Sequence, residues 1–197
     1  MGTVFSSPAI SLDGYVAGPR QTRENPLGEG GENLHRWMFE TPDENRAEID
    51  AIVDAGAFVM GRNMFGPVRG GWDEDWRGWW GEEPPYHGPV YVLTHYTHEP
   101  IEMDGGTTFF FVTDGIESAL EQARAAAGDR DISVAGGAST LNQFLAAGLI
   151  DELRLHISPI ALGSGERLFE GVPNLNLEPV SSRTVSLATH VTYRVKR

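Results

Sequence analysis

The sequence predicts an α/β domain with a mostly parallel central sheet, helices on both faces and an antiparallel hairpin at the C-terminal edge. Three observations lead there. Short apolar runs at 57–61, 90–94 and 132–135 have the length of buried strands rather than of helices. Helical patterns at 41–55, 115–127 and 139–147 alternate with them, which implies βαβ units. The chain then closes on strand-rich stretches, 151–160, 175–182 and 184–196, with Ser182-Arg183 as the expected turn. A length of 197 residues fits one domain, 1–197.

Each element has a local reason. Residues 3–12 read as a first strand, ended by the turn pair Asp13-Gly14. Residues 17–36, rich in Gly, Pro, Asn and charge, form a long loop of the kind that usually carries function. Thr41-Pro42-Asp43-Glu44 opens a helix, with Thr as N-cap, Pro at the first position and acids in the first turn. Its inward face is Ile49, Ile52 and Val53. After the strand at 57–61, residues 62–65 make a short helix before a second long loop, 66–89. A strand is expected at 107–112. Gly148 closes the helix at 139–147 as a C-cap.

Composition excludes several functions. The chain has no cysteine, so disulfides, thiolate catalysis and cysteine-ligated metals are ruled out. A net charge of −13 argues against non-specific nucleic-acid binding, which needs a basic face. An anionic cofactor needs only a local group of donors and stays open. No apolar run reaches membrane-span length, and the N-terminus lacks a signal-peptide layout, so cytoplasm is the expected compartment. His95 and His98 form an H-x-x-H pair without a carboxylate motif beside it, and no metal is expected.

The most informative segment is 134–145. A buried strand stops at Gly136-Gly137 and passes directly into an amphipathic helix with Leu141, Phe144 and Leu145 on one face. Strand, glycine turn and helix start let a backbone approach a phosphate, which free amides and the helix dipole then hold.

Other motifs keep company with it in order: Ser11-Leu12-Asp13-Gly14-Tyr15-Val16-Ala17, Val59-Met60-Gly61-Arg62-Asn63, Val92-Leu93-Thr94-His95, and Gly148-Leu149-Ile150-Asp151-Glu152-Leu153. Gly163-Ser164-Gly165 before Leu168-Phe169 completes the set. Together they resemble the dihydrofolate-reductase superfamily, and more narrowly the reductase domain of the bifunctional riboflavin-biosynthesis deaminase-reductase. The likeness spans essentially the whole chain and implies the three-layer dihydrofolate-reductase-like fold, with NADPH bound across the sheet. It implies that Ala9 offers backbone groups to the nicotinamide carboxamide, with Val16 and Ala17 packed on the ring. Gly61 would admit the cofactor, and Arg62 would face its phosphates, where a guanidinium makes paired bonds. Asn63 would cap the short helix over the pyrophosphate. Thr94 and His95 match the pair near the adenosine 2′-phosphate. Gly136 and Gly137 match a pair joined by a cis peptide, and Ala138, Ser139 and Thr140 would face the pyrophosphate. Homodimers are common in the family, which sets that expectation here.

The likeness implies NADPH-dependent hydride transfer to a small heterocyclic, imine or carbonyl substrate. The closest named activity is reduction of 5-amino-6-(5-phosphoribosylamino)uracil. Reduction of another small metabolite, and non-catalytic nucleotide binding on the same fold, remain alternatives. Dihydrofolate reductases carry a carboxylate on the first helix, and ungapped counting from Met60-Gly61-Arg62 puts Asn45 there. Asp13 and Glu44 are the candidate proton-handling residues, Asp13 being equally readable as a turn residue. Gly30, Gly31, His35, Arg36, Trp37, Arg69 and Trp72 are candidates at the substrate. Trp72, Trp76, Trp79 and Trp80 form either a lid over an aromatic substrate or a satellite core or subunit interface.

Overall fold

The computed structural model describes residues 2–67, 70–72 and 75–196. Its strands are β1 (Val4–Ser6), β2 (Ala9–Ser11), β3 (Tyr15–Ala17), β4 (Ala57–Gly61), β5 (Pro89–Leu93) and β6 (Ile101–Glu102). They continue with β7 (Thr108–Val112), β8 (Ile132–Gly136), β9 (Glu152–Ser158), β10 (Glu166–Arg167), β11 (Asn176–Thr184) and β12 (Thr189–Lys196). The α-helices are α1 (Arg36–Phe39), α2 (Arg46–Val53), α3 (Arg62–Phe65), α4 (Ile116–Ala127) and α5 (Ala138–Ala146). The main sheet runs β11-β12-β9-β1-β8-β4-β5-β7-β6, with β2 also on β9. From β9 to β7 neighbours are parallel; β12, β11 and β6 add antiparallel edges.

Side-chain alternation along β4 divides the interior. Ala57 and Val59 face a core built from Val4, Val134, α4 and α5. Phe58 and Met60 face a second core with Phe5, Phe65 and Phe109. The first is sealed by one stripe of α4, Ala119, Leu120, Ala123 and Ala127, and by Leu141, Phe144 and Leu145 of α5. The second is completed by the 66–89 loop, whose Trp72, Trp76 and Trp80 pack against it. The Trp76 indole N–H donates to Phe65 O (2.9 Å), and Trp80 stacks on Phe109 at 6.0 Å. These tryptophans therefore work as a satellite core on the sheet.

Three expectations need correction. The strand foreseen over 3–12 is divided between β1 and β2 at Ser7-Pro8, because proline has no N–H to give the ladder. Register is kept: Ser6 pairs with Leu153 and Ala9 with His156. The helix foreseen over 41–55 begins as a 3₁₀ turn, Pro42–Asn45, and α2 buries none of its residues fully. Its inward group is Asn45, 0 % exposed, while Ile49, Ile52 and Val53 are only half-buried. The Thr41 hydroxyl makes no cap and donates back to Trp37 O (3.2 Å). Finally, Ser182 and Arg183 lie inside β11, paired with Val191 and His190, and the chain reverses at 185–188. Arg183 is drawn into the strand by its bonds to the Glu48 carboxylate.

Candidate active site

Sheet register brings the predicted motifs to one edge. Met60 pairs with Gly136 and Gly61 with Leu93, so β8, β4 and β5 end side by side with Thr94 next in line. The carboxyl edge of a parallel sheet is where open α/β folds bind ligands. The Gly136-Gly137 peptide is cis, and Gly136 has φ +139°, a conformation that suits glycine alone. At Gly137 a Cβ would meet nothing within 4 Å, so the turn is open to approach. The first bond of α5 runs from Leu141 N to Gly137 O (3.0 Å), which leaves the amides of residues 138–140 without intrahelical acceptors. Ala138 and Thr140 are buried, and Ser139 is exposed. Gly61 has a different neighbour from the one expected: a Cβ there would lie 2.3 Å from Thr140 Oγ1, so its bare backbone admits α5.

The motif at 11–17 is tied to this turn. Asp13 accepts bonds from Ser11 Oγ (2.6 Å), Leu162 N (3.0 Å) and Gly163 N (2.7 Å). β3, which carries Val16 and Ala17, pairs with β10. Asn142 of α5 then holds Arg167 O and Phe169 N at 3.0 and 2.8 Å. The bonds from Ser11, then Leu162 and Gly163, hold the Asp13 carboxyl at about 2 against its ordinary 3.8. A carboxylate so stabilised is a clamp, poorly suited to giving a proton. Because its folded value is depressed, its stabilisation is present above the ordinary value and lost as pH falls towards about 2. Thermal melts from neutral to acid pH should therefore fall less steeply for Asp13→Asn than for the wild type. Parallel melts would show that Asp13 is not the clamp.

Glu44 is likewise engaged. Its carboxylate accepts Ser186 N (3.1 Å) and Ser186 Oγ (2.9 Å), and these bonds lower its pKa. It anchors the β11–β12 turn. Thr94 is buried and its hydroxyl accepts Tyr96 N (3.2 Å); His95 and Asn63 are exposed. His98 packs between Trp72 and Phe111. The Arg62 guanidinium lies 3.1 Å from the centroid of Trp72, whose N–H donates to Tyr96 O. The residues expected at the cofactor and at the substrate thus stack as one unit. Arg69 lies outside the described residues.

The substrate candidates of the first loop begin beside β3: a Cβ on Gly31 would lie 3.8 Å from Ala17 Cα. Gly31 is buried, and Gly30 precedes it with φ +73°. Arg36 is paired with Glu40 at 2.7 and 2.9 Å. Burial lowers the pKa of His35. Trp37, 0 % exposed, packs 4.7 Å from the ring of His156 and 5.0 Å from that of His190. It forms the backing of a buried polar chain. Ser7 Oγ meets His156 Nε2 at 2.8 Å, His156 Nδ1 meets His190 Nδ1 at 2.8 Å, and His190 Nε2 meets Asn45 Oδ1 at 2.8 Å.

Residues 2–191 match the RibD C-terminal domain family. The chain belongs to that family. Among its relatives, the uncharacterized protein YyaP of Bacillus subtilis is 28% identical over 189 residues, covering 90% of this chain and 86% of that one. A putative riboflavin biosynthesis protein from Shewanella sp. PV-4 is 26% identical, covers 100% of both chains and superposes with a TM-score of 0.67. A dihydrofolate reductase from Enterococcus faecalis, complexed with NADP(H), shares 14% identity over 100% of this chain and 98% of its own, with a TM-score of 0.56. The fold is dihydrofolate-reductase-like.

Within this RibD C-terminal domain, the sequence reading missed Ser7, His156 and His190. A signal was present: His156 and His190 are polar residues inside otherwise apolar strand patterns, where an unpaired imidazole would be costly. Without pairing register, residues 34 apart gave no sign of meeting.

Proposed function

We propose that this chain is an NADPH-dependent reductase that transfers a hydride to a small heterocyclic, imine or carbonyl substrate. Reduction of 5-amino-6-(5-phosphoribosylamino)uracil is the closest named reaction. The observation that carries the reading is the open glycine turn beside Gly61 and Thr94, leading into the first amides of α5, which have no intrahelical acceptors. Uncommitted amides at a helix N-terminus fit a pyrophosphate. Membership of the RibD C-terminal domain family supports it, as do relatives described by riboflavin biosynthesis and by a complex with NADP(H).

NADPH, when bound, supplies the hydride. The chain's own groups bind and orient it. Gly137 and the amides of Ala138, Ser139 and Thr140 would hold the pyrophosphate, with Asn63 beside them. Arg62, Thr94 and His95 would serve the phosphates at the adenosine end. Ala9, Val16 and Ala17 would border the nicotinamide, with β10 paired alongside β3. The pairing of Ala9 with His156 carries this edge on towards the buried histidines. Among the described residues no helix is long and apolar enough to cross a membrane. A homodimer in the cytoplasm, acting on a small molecule rather than a nucleic acid, belongs to the same proposal.

The Arg62–Trp72 stack gives a direct readout. NADPH should change tryptophan emission, and NADH should do so more weakly. Arg62→Ala should weaken NADPH binding by about tenfold or more, since a bond to a charged group is worth roughly 1.5–3 kcal/mol. NADH should lose less. Equal losses would remove Arg62 from the 2′-phosphate, and the absence of binding by either nucleotide would end the reductase reading.

A further inference from the structure

A cavity of about 500 Å³ lies between α2 and strands β9, β11 and β12, lined by Ser7, Glu48, Arg154, His156, Arg183 and His190 among others. Its volume falls within the roughly 300–1,000 Å³ of small-molecule sites. Exposed Ser181, Ser182 and Arg183 form its outer part, and the buried histidines its inner end. β1 pairs with β8 at Phe5–Ser133 and the Ser6 hydroxyl donates to Val134 O, so Ser7 directly follows the strand that runs beside the approach to the glycine turn.

The hydrogen bonds at that inner end have one direction. Asn45 Nδ2 faces Trp37 O at 3.0 Å and Thr41 O at 2.7 Å. Only an NH₂ group can face two carbonyls, so Oδ1 is the atom turned to His190. His190 Nε2 must then carry a proton and donate it. In a neutral His190 the other nitrogen, Nδ1, is an acceptor, so His156 donates from its Nδ1. The Nε2 of a neutral His156 is therefore an acceptor, and the Ser7 hydroxyl gives its one proton to it. Burial keeps both rings neutral: burial, then His190, push His156 down to about 3, and burial lowers His190 against the opposing pull of Glu48. The charged groups facing the pair are Glu48, Arg154 and Arg183, with His35 adding its own field.

We propose that this cavity is the substrate end of the site, and that Ser7 is a positioning residue presenting only lone pairs to the occupant. The occupant is a small neutral molecule that brings an N–H or O–H to Ser7. The other walls agree. The Glu48 carboxylate is a second acceptor: burial pushes its pKa up, but the bonds from Arg183, its own backbone amide and the fields of His190 and Arg183 together bring it below the ordinary value. The guanidinium of Arg183 is bonded to Glu48 at 2.9 and 2.6 Å, and that of Arg154 to Glu152 at 2.6 Å. Arg183 is thus committed to Glu48 and to Glu44 O, while Arg154 gives its Nε to Glu152. Calling the occupant a substrate rests on the reductase reading; the donor–acceptor polarity does not.

Two measurements on the cofactor-free full chain at neutral pH test this. Long-range ¹H–¹⁵N spectra report imidazole tautomers and need no variant. They should show His156 protonated at Nδ1 and His190 at Nε2; either tautomer reversed overturns the polarity. Second, 4-aminopyrimidine and 4-methoxypyrimidine share a ring and differ in donating a hydrogen bond. By titration the amino probe should bind about tenfold tighter, the scale of leaving one acceptor unpaired. Ser7→Ala should bring the ratio close to one. Equal affinities, a preference for the methoxy probe, a ratio unchanged in Ser7→Ala, or no binding of either probe would each overturn the assignment. NADPH titrated into the same samples separates the two claims: binding of NADPH without discrimination sinks this inference alone, and discrimination without NADPH binding sinks the cofactor reading, and with it the name substrate, while leaving the polarity of the cavity standing.

Discussion

Gly61→Ala should destabilise the domain by about 1–3 kcal/mol, the usual range for forcing a methyl into a filled space. The backbone itself tolerates a side chain, because Gly61 is extended with φ −81° and ψ 156°. The obstacle is Thr140 Oγ1, 2.3 Å from where the new Cβ would sit. β4 and α5 would have to separate at the point where the glycine turn is built, so NADPH binding should weaken together with stability. Thr140→Ala in the same chain removes the oxygen; the remaining Cβ lies at 3.5 Å, an ordinary contact. The double variant should regain most of the loss in denaturant melts. A Gly61→Ala variant as stable as the wild type, or a double variant no better than the single one, would show that Thr140 is not the constraint.

Asn45→Asp should cost more, about 3–5 kcal/mol at neutral pH, as expected when a buried charge is left uncompensated. The side chain is 0 % exposed and donates to Trp37 O, Thr41 O and the Thr41 hydroxyl oxygen. A carboxylate would set an anion against those two carbonyls and lose the donors. His190 Nε2 could still donate to it, but faces only one of its oxygens. The introduced carboxyl should therefore have a raised pKa in the folded state. Its penalty should shrink as pH falls through that value and grow as pH rises. Melts of Asn45→Asp that show no such acid recovery would contradict the account. Ungapped counting sets Asn45 against the carboxylate position of dihydrofolate reductases. Here the position is used to orient a hydrogen-bond chain ending at Ser7.

Much of the fold was legible because its signals are local. The apolar runs at 57–61 and 132–135 are buried on both faces, and they became β4 and β8 with nearly the same ends. The glycine pair was readable as a turn into a helix because strand, Gly-Gly and amphipathic helix adjoin in sequence. The motif order then pointed to a cis peptide at that position. What the sequence hid depends on long-range pairing. The Ser7–His156–His190–Asn45 chain draws on the end of β1, on β9 and β12, and on the turn before α2, and no spacing rule links them. Asp13 was readable either as a turn residue or as an acid, and Glu44 as an acid; Ser11 is near Asp13 in sequence, but Leu162, Gly163 and Ser186, which hold the two carboxylates, lie more than 140 residues away. The tryptophans of 72–80 were ambiguous since a lid and a satellite core require the same aromatic content. Their contacts with Phe65, Phe109 and Phe111 favour the core.

NADPH held at the glycine turn on the carboxyl edge of the sheet, as proposed, would perturb the backbone there. Titrating NADPH into ¹⁵N-labelled protein and following backbone amides tests it most directly. The largest shifts should fall on Gly136, Gly137, Ala138, Ser139 and Thr140, with Gly61, Thr94 and His95 following the same binding curve. Saturable binding that leaves the amides of 136–140 unmoved would contradict the account.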